Sequence, residues 1–373
     1  MNPQELFCPI WKCPARGQVG KGNISLHSRK EKRCYCSVCQ QTFSVTKGTL
    51  FYRLRIAPAT VMLVIALLAY GCPVAAIVQA FGFDERTVRD WWRRAGKHTQ
   101  NVHEHFVEAQ PRDLQQVQAD EIRAKLQKTV VWIAMAVMVP TRLWLGGVVS
   151  VRRDVNLIEA LANQIRHMAR CRPLLLAVDG LASYVTAFQK AFRSPLPRHG
   201  RGGRPQLVAW PDIAIVQVIK HKVADRLQVD RRIVQGATRL VAQLIQASQG
   251  HGGINTAFIE RLNATFRQRL SPLARRTRAL ARHPETLTAG MYVVGCLYNF
   301  CAFHQSLRLK LSVGSHGYHW VLRTPAMAAG ITDHRWTIPE LLSFRVPSPR
   351  WEPPKRRGRP SQEVRQLVEQ WAT

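Results

Sequence analysis

Acidic side chains are scarce in this chain, and the setting of three of them constrains what it can fold into. Lys and Arg number 54 against 23 Asp and Glu over 373 residues, a formal net charge of +31. Asp120 follows the run Gln-Gln-Val-Gln-Ala at 115–119, and Asp179 closes the apolar run at 173–178. Glu260 lies among arginines in 255–267, a stretch that reads as helix.

The residues around these acids read as a sheet interleaved with helices. Strands are expected at 117–119, 129–139 and 143–151, with a turn at 140–142. Asp154 is placed to cap a helix over 155–169 whose inner face carries Leu157, Ile158, Leu161 and Ile165. A buried strand at 174–178, a helix at 181–192 and a strand at 213–219 follow. This β-β-β-α-β-α-β order predicts an RNase H-like core, a mixed sheet with helices on its faces. In such a sheet Asp120 and Asp179 lie beside each other, and Glu260 on a later helix closes over them. Three carboxylates so placed can bind two divalent metal ions about 3.5–4 Å apart and act on a phosphodiester. Glu121, next to Asp120, is expected to point to the opposite face of the strand.

The amino end reads as two small modules. Cys8 and Cys13, then Cys36 and Cys39, form two short-spaced thiol pairs across a basic stretch. Tetrahedral zinc needs four soft ligands, and two tight knuckles supply them in a segment too small for a core of its own. Cys34 is a fifth candidate, but the two-residue gap between Cys36 and Cys39 favours Cys36. Helices are then expected at 57–70, at 73–81 and, capped by Asp84, at 85–96. This is helix-turn-helix spacing. Arg86, Thr87 and Arg89 near the start of the third helix would face bases or phosphates, and Arg93 and Arg94 the backbone. Of Trp91 and Trp92, one is expected to pack inward.

With these motifs in view, residues 8–335 resemble a bacterial insertion-sequence DDE transposase with an N-terminal zinc ribbon and helix-turn-helix. The ribbon motif is Arg33-Cys-Tyr-Cys-Ser-Val-Cys39 with Phe43 and Lys47-Gly-Thr49. The last acidic motif is Asn255-Thr-x-x-Ile-Glu-Arg-x-Asn263, and Tyr298-Asn-Phe-Cys-Ala-Phe-His-Gln-Ser-Leu307 matches the segment that often follows it. The chain departs from the pattern at Cys34, and at Ala302-Phe303, where Arg-Pro is common. The resemblance implies release of a 3′-hydroxyl by water attack and strand transfer into target DNA, with Mg²⁺ or Mn²⁺. It also implies catalysis by Asp120, Asp179 and Glu260, and a homo-oligomer on DNA.

Charge and patterning set the partners. The excess of cations favours a polyanion, most simply nucleic acid. Arg261, Arg267 and Arg269, with further arginines at 275, 276, 278 and 282, are expected to bind phosphates beside the acids. The tail at 355–360 carries Lys355, Arg356, Arg357 and Arg359 and resembles the core of an AT-hook. Residues 193–211 and 347–354, rich in Pro, Gly or Arg, read as an excursion and a linker. Apolar stretches at 61–78 and 130–151 are interrupted, so no membrane span is expected. The start Met-Asn-Pro-Gln-Glu-Leu shows no secretory signal, and the resemblance implies a bacterial cytoplasmic, nucleoid-associated protein. The whole reads as multidomain α/β: a zinc ribbon (1–56), a helix-turn-helix domain (57–110), an RNase H-like catalytic domain (111–335) and a linker with basic tail (336–373). Two rivals remain: a DNA-binding regulator or inactive relative without catalysis, and a structure-selective nuclease that cleaves without strand transfer.

Overall fold

A computed structural model describes residues 3–196, 205–223, 226–277, 279–313, 317–350, 358 and 361–371. Packing divides the chain into two compact units, Met1–Pro58 with Ser343–Thr373, and Ala59–Leu342. Among the described residues no helix is long and apolar enough to cross a membrane.

In the first unit three short strands, β1 (Ile24–Ser28), β2 (Arg33–Cys36) and β3 (Gln41–Ser44), form an antiparallel sheet in the order β1-β2-β3. Its core is Leu6, Cys8, Cys13, Ala15, Ile24, Cys34, Cys36, Phe43 and Val45. Four of these nine side chains are thiols. So little hydrocarbon stabilises a segment of this length poorly, and the cysteines have to contribute more than packing.

The second unit begins with three helices, α1 (Pro58–Ala69), α2 (Val74–Phe81) and α3 (Glu85–His103). The expected inner face of α1 is buried at Val61, Val64, Ile65 and Leu68. Gly82 ends α2 in the left-handed region at φ 68°, and Asp84 caps α3 by accepting from the N–H groups of Arg86 (2.8 Å) and Thr87 (3.3 Å). Trp91 is buried and Trp92 half-buried. However, α3 does not stop at Gly96. A Cβ there would lie 2.3 Å from the Cβ of Ala289 on α8 (Pro284–Cys296), so this glycine permits a close helix crossing rather than a helix end. Beyond it Val102 and His103 are buried, and the three helices share one compact unit with the sheet.

That sheet has six strands in the order β11-β10-β7-β4-β5-β6. They are β4 (Gln116–Lys125), β5 (Val130–Met138), β6 (Leu143–Ser150), β7 (Leu174–Asp179), β10 (Ile213–Val223) and β11 (Arg226–Gln235). β7 runs parallel to β4 and β10, and the remaining pairs are antiparallel. The mixed sheet is compatible with the expected core, with β11 as an added edge strand that the sequence pattern missed. Between β7 and β10, β8 (Arg193–Pro195) pairs with β9 (Leu207–Ala209), and 197–204 lie outside the described residues.

Helices α4 (Val155–Met168) and α5 (Ala182–Ala191) pack on each other, and α4 lies on β5 and β6. α6 (Thr238–Gln249) lies on β4 and β7, and α7 (Ala257–Arg269) on β4 and β5. The interior between β4–β5 and α7–α8 is filled by Ile122, Ile133, Met135, Trp144, Ile259 and Phe266, among others.

Candidate functional site

The site is built where parallel strands end. β4 pairs with β7 up to Gln118 opposite Ala177. Asp120 and Asp179 each stand two residues further on, past the last rung of the ladder. Open α/β sheets hold ligands beyond such carboxyl ends.

Gln118 fixes what lies above. It is fully buried, and its Oε1 accepts from the N–H groups of Phe258 (2.9 Å) and Ile259 (3.0 Å), in the first turn of α7. Its Nε2 donates to the carbonyl of Asn255 at 2.8 Å. Helix starts leave such N–H groups without partners. Thr256 does not cap them, because its hydroxyl donates to Glu260 at 2.6 Å. A side chain of β4 therefore docks α7 and places Glu260 over the sheet edge.

Each carboxylate is then held separately. Asp120 accepts from the Glu121 N–H and from Asn263 Nδ2, both at 2.8 Å. Asp179 accepts from the Leu181 N–H at 3.0 Å. Glu260 pairs with Lys220 of β10. Asp120, Asp179, Lys220, Arg153 and Glu260 line one cleft of about 520 Å³.

Glu121 corrects the expectation from strand alternation. Asp120 is held from α7, and Glu121 does turn to the other side, where the Tyr184 hydroxyl donates to it at 2.7 Å. That does not remove it from the acids. Oxygens of Asp120, Glu121 and Asp179 come within 4.8 Å of one another. Arg153 bridges two of them, donating from Nε to Glu121 at 2.5 Å with Nη2 3.8 Å from Asp179. The tightest acidic group is thus Asp120, Glu121 and Asp179, with Glu260 across the same cleft.

The electrostatics follow from this crowding. Burial, reinforced by the charges of Glu121, Asp179 and Glu260, pushes the Asp120 carboxyl up to about 6. Burial also raises Asp179, with Glu121 adding and Arg153 opposing. Burial would raise Glu260 too, but hydrogen bonds from Lys220 and Thr256 outweigh it and hold the group below the usual carboxylate range. Hard oxygen donors, two of whose carboxyls resist ionisation because they are buried and crowded by other acids, fit a divalent cation of the magnesium or manganese type.

A second cluster lies in the first unit. Sγ atoms of Cys8, Cys13, Cys36 and Cys39 lie within 4.8 Å of one another, with Cys8–Cys39 at 3.7 Å and Cys13–Cys36 at 3.8 Å. Tetrahedral zinc with bonds of about 2.3 Å requires sulfur–sulfur edges of about 3.8 Å. Cys36 also accepts from Asn23 Nδ2 at 3.1 Å. Burial lifts its thiol, but that bond and the N–H groups of Val38 and Cys39 bring it below the usual range, which favours thiolate. Cys34 is two residues back on the same face of β2, about 6–7 Å away along the strand. It is buried outside the cluster.

The expected nucleic-acid contacts divide. Arg86 is exposed and Thr87 half-buried at the start of α3. Arg89 pairs with Glu85, and Arg93 and Arg94 both pair with Asp90 (2.6 and 2.7 Å). Such surface pairs contribute about 0–1 kcal/mol and yield readily to a phosphate. Arg261 is exposed and Arg267 half-buried, while Arg269 lies over the Tyr70 ring at 4.8 Å. Lys355, Arg356, Arg357 and Arg359 lie outside the described residues.

Compared with models of known protein families and with curated proteins, the chain matches none. Reading from the sequence missed Gln118, Arg153, Tyr184 and Lys220. Only Gln118 left a signal there, a polar residue two before Asp120 and so on the same strand face.

The buried Glu121 carboxylate, whose side chain is 1% exposed, compensates Arg153. Glu121→Gln is expected to lower stability by about 1–3 kcal/mol. Arg153 is 38% exposed, so solvent screens the pair and the lower end applies. A lower urea midpoint at unchanged m-value checks this, and an unmoved midpoint would refute it.

Proposed function

We propose that the protein is a DDE-type DNA transposase that binds the ends of a mobile DNA element, cleaves to leave 3′-hydroxyls and joins them to target DNA. The observation that carries this reading is the cleft itself. Asp120, Asp179 and Glu260 come from β4, from the end of β7 and from α7, and they meet at one edge of a mixed sheet. The strand order, with three antiparallel strands and then parallel β7 and β10, supports an RNase H-like core.

In this reading Asp120, Asp179 and Glu260 hold two Mg²⁺ or Mn²⁺ ions. Such ions supply positive charge to an attacking oxygen and to a leaving oxygen. Asn263 and the Glu121 N–H orient Asp120, while Gln118 seats α7 so that Glu260 faces the pair. Arg153 and Lys220 line the cleft as the cations nearest the acids, suited to non-bridging phosphate oxygens. The four-cysteine cluster is assigned structural zinc, and α2–α3 with Arg86, Thr87, Arg89, Arg93 and Arg94 is assigned to DNA as a helix-turn-helix.

One observation favours the alternative of binding without cleavage. Glu260 is engaged by Lys220, an arrangement that already satisfies its charge. Activity decides between the two.

Two results are expected. Cys36→Ser should lose zinc and Cys34→Ser should keep it, measured as metal per chain on the purified proteins; the reverse would refute the ligand set. Asp120→Asn, Asp179→Asn and Glu260→Gln should each lower cleavage and joining by about a thousandfold or more, the scale of several kcal/mol of lost charge stabilisation. The assay uses Mg²⁺ or Mn²⁺ and a duplex ending in the inverted repeats that border the gene. Duplex binding in a gel shift should persist. Strand transfer by Asp179→Asn at the wild-type rate would overturn the proposal, and a wild type that binds but never cuts would favour the alternative.

A further inference from the structure

A second cavity, of about 480 Å³, lies against a different face of α7. Thr256 and Glu260, one turn apart, face the acidic cleft, whereas Phe258, Arg261, Leu262, Thr265 and Arg269 line this other space. Arg142, Tyr298 and His304 are among its other lining residues, and none of its lining residues is acidic.

Two of the arginines, Arg142 and Arg269, rest against aromatic rings. Arg142 lies over the Phe258 ring at 3.9 Å and donates to the Val139 carbonyl. Arg269 lies over the Tyr70 ring at 4.8 Å. Arg142 Nε and Arg269 Nη1 are themselves buried and closed to the cavity, so a ligand there could meet only the other guanidinium nitrogens. Arg142 also sits at φ 59°, where glycine or asparagine is easier. Burial first, and then Arg261 and Arg142, lower His304 to about 4, so this ring adds no charge at neutral pH. Three arginines lining one cavity that has no acidic residue match an acceptor with several oxygens, as phosphate is.

We infer that this pocket binds a backbone phosphate of DNA, anchoring the strand on the flank of α7 away from the carboxylates. Glu260 and Arg261 are consecutive, so a strand entering the cleft passes close to the pocket. That the phosphate belongs to DNA rests on the function proposed above; the capture of an anion does not.

The test uses the full chain and a mixed-sequence duplex, with affinity measured over a range of salt. Arg261 is exposed on its helix, and glycine suits the backbone of Arg142, so Arg261→Gln and Arg142→Gly probe the pocket with little risk to folding. Each is expected to make the slope of log affinity against log salt shallower by about 0.9, one phosphate contact. In parallel, inorganic phosphate should raise the unfolding temperature of wild type and not of Arg142→Gly. Unchanged slopes in both variants, with wild type binding duplex normally, would overturn the inference and leave the proposed function standing. Arg142-dependent stabilisation by phosphate in a protein that does not bind duplex would support an anion site and overturn the DNA reading. Loss of both effects would overturn the pocket outright.

Discussion

The contact between Gln118 and the start of α7 is the one on which the acidic site depends. A buried amide in the middle of β4 has no water to satisfy it, and the first turn of a helix has N–H groups with no acceptor. Each solves the other's problem, with Phe258 and Ile259 donating to one oxygen and the amide nitrogen reaching back to Asn255. Because the partners are 140 residues apart in sequence, the contact fixes tertiary position rather than local shape. It leaves Thr256 free to hold Glu260 and brings Asn263 within reach of Asp120. A buried polar pair of this kind contributes about 1 kcal/mol net but costs more when half of it is removed.

Electrostatics complete the site. In a chain carrying +31, carboxylates would ordinarily be neutralised by the nearest cations. Here Arg153 takes Glu121 and Lys220 takes Glu260, while Asp120 is left with an N–H and an amide as its partners. Asp120 is accordingly the acid pushed up to about 6, by burial and by its acidic neighbours. Such a site gains from a multivalent cation, and Glu121 contributes by fixing Arg153 beside Asp179.

Features set by local chemistry were legible in the sequence. Asp84 as a cap, the buried face of α1, one tryptophan of the 91–92 pair packed inward and the two thiol knuckles all depend on residues a few positions apart. The mixed sheet was legible because Val, Ile and Leu runs are punctuated by turn residues. Beyond the site residues missed above, three further features were not. Gly96 looks like a helix end in sequence and is a helix crossing in space, because only the partner Ala289 reveals why a Cβ is excluded. β11 is mostly exposed, so its residues carry little apolar signal. Glu121 was read from alternation alone, which gives the face correctly but ignores that a long side chain just past the last β4–β7 rung can come close to the acids beside it.

The central claim is that Asp120 and Asp179 form a divalent cation site. Its most direct measurement is a titration of the full chain with Mn²⁺, following the free ion by electron paramagnetic resonance. Saturable binding by wild type, weakened at least about tenfold when both Asp120→Asn and Asp179→Asn are present, is the predicted result. Equal binding by wild type and the double variant, or no saturable binding by either, would contradict the account.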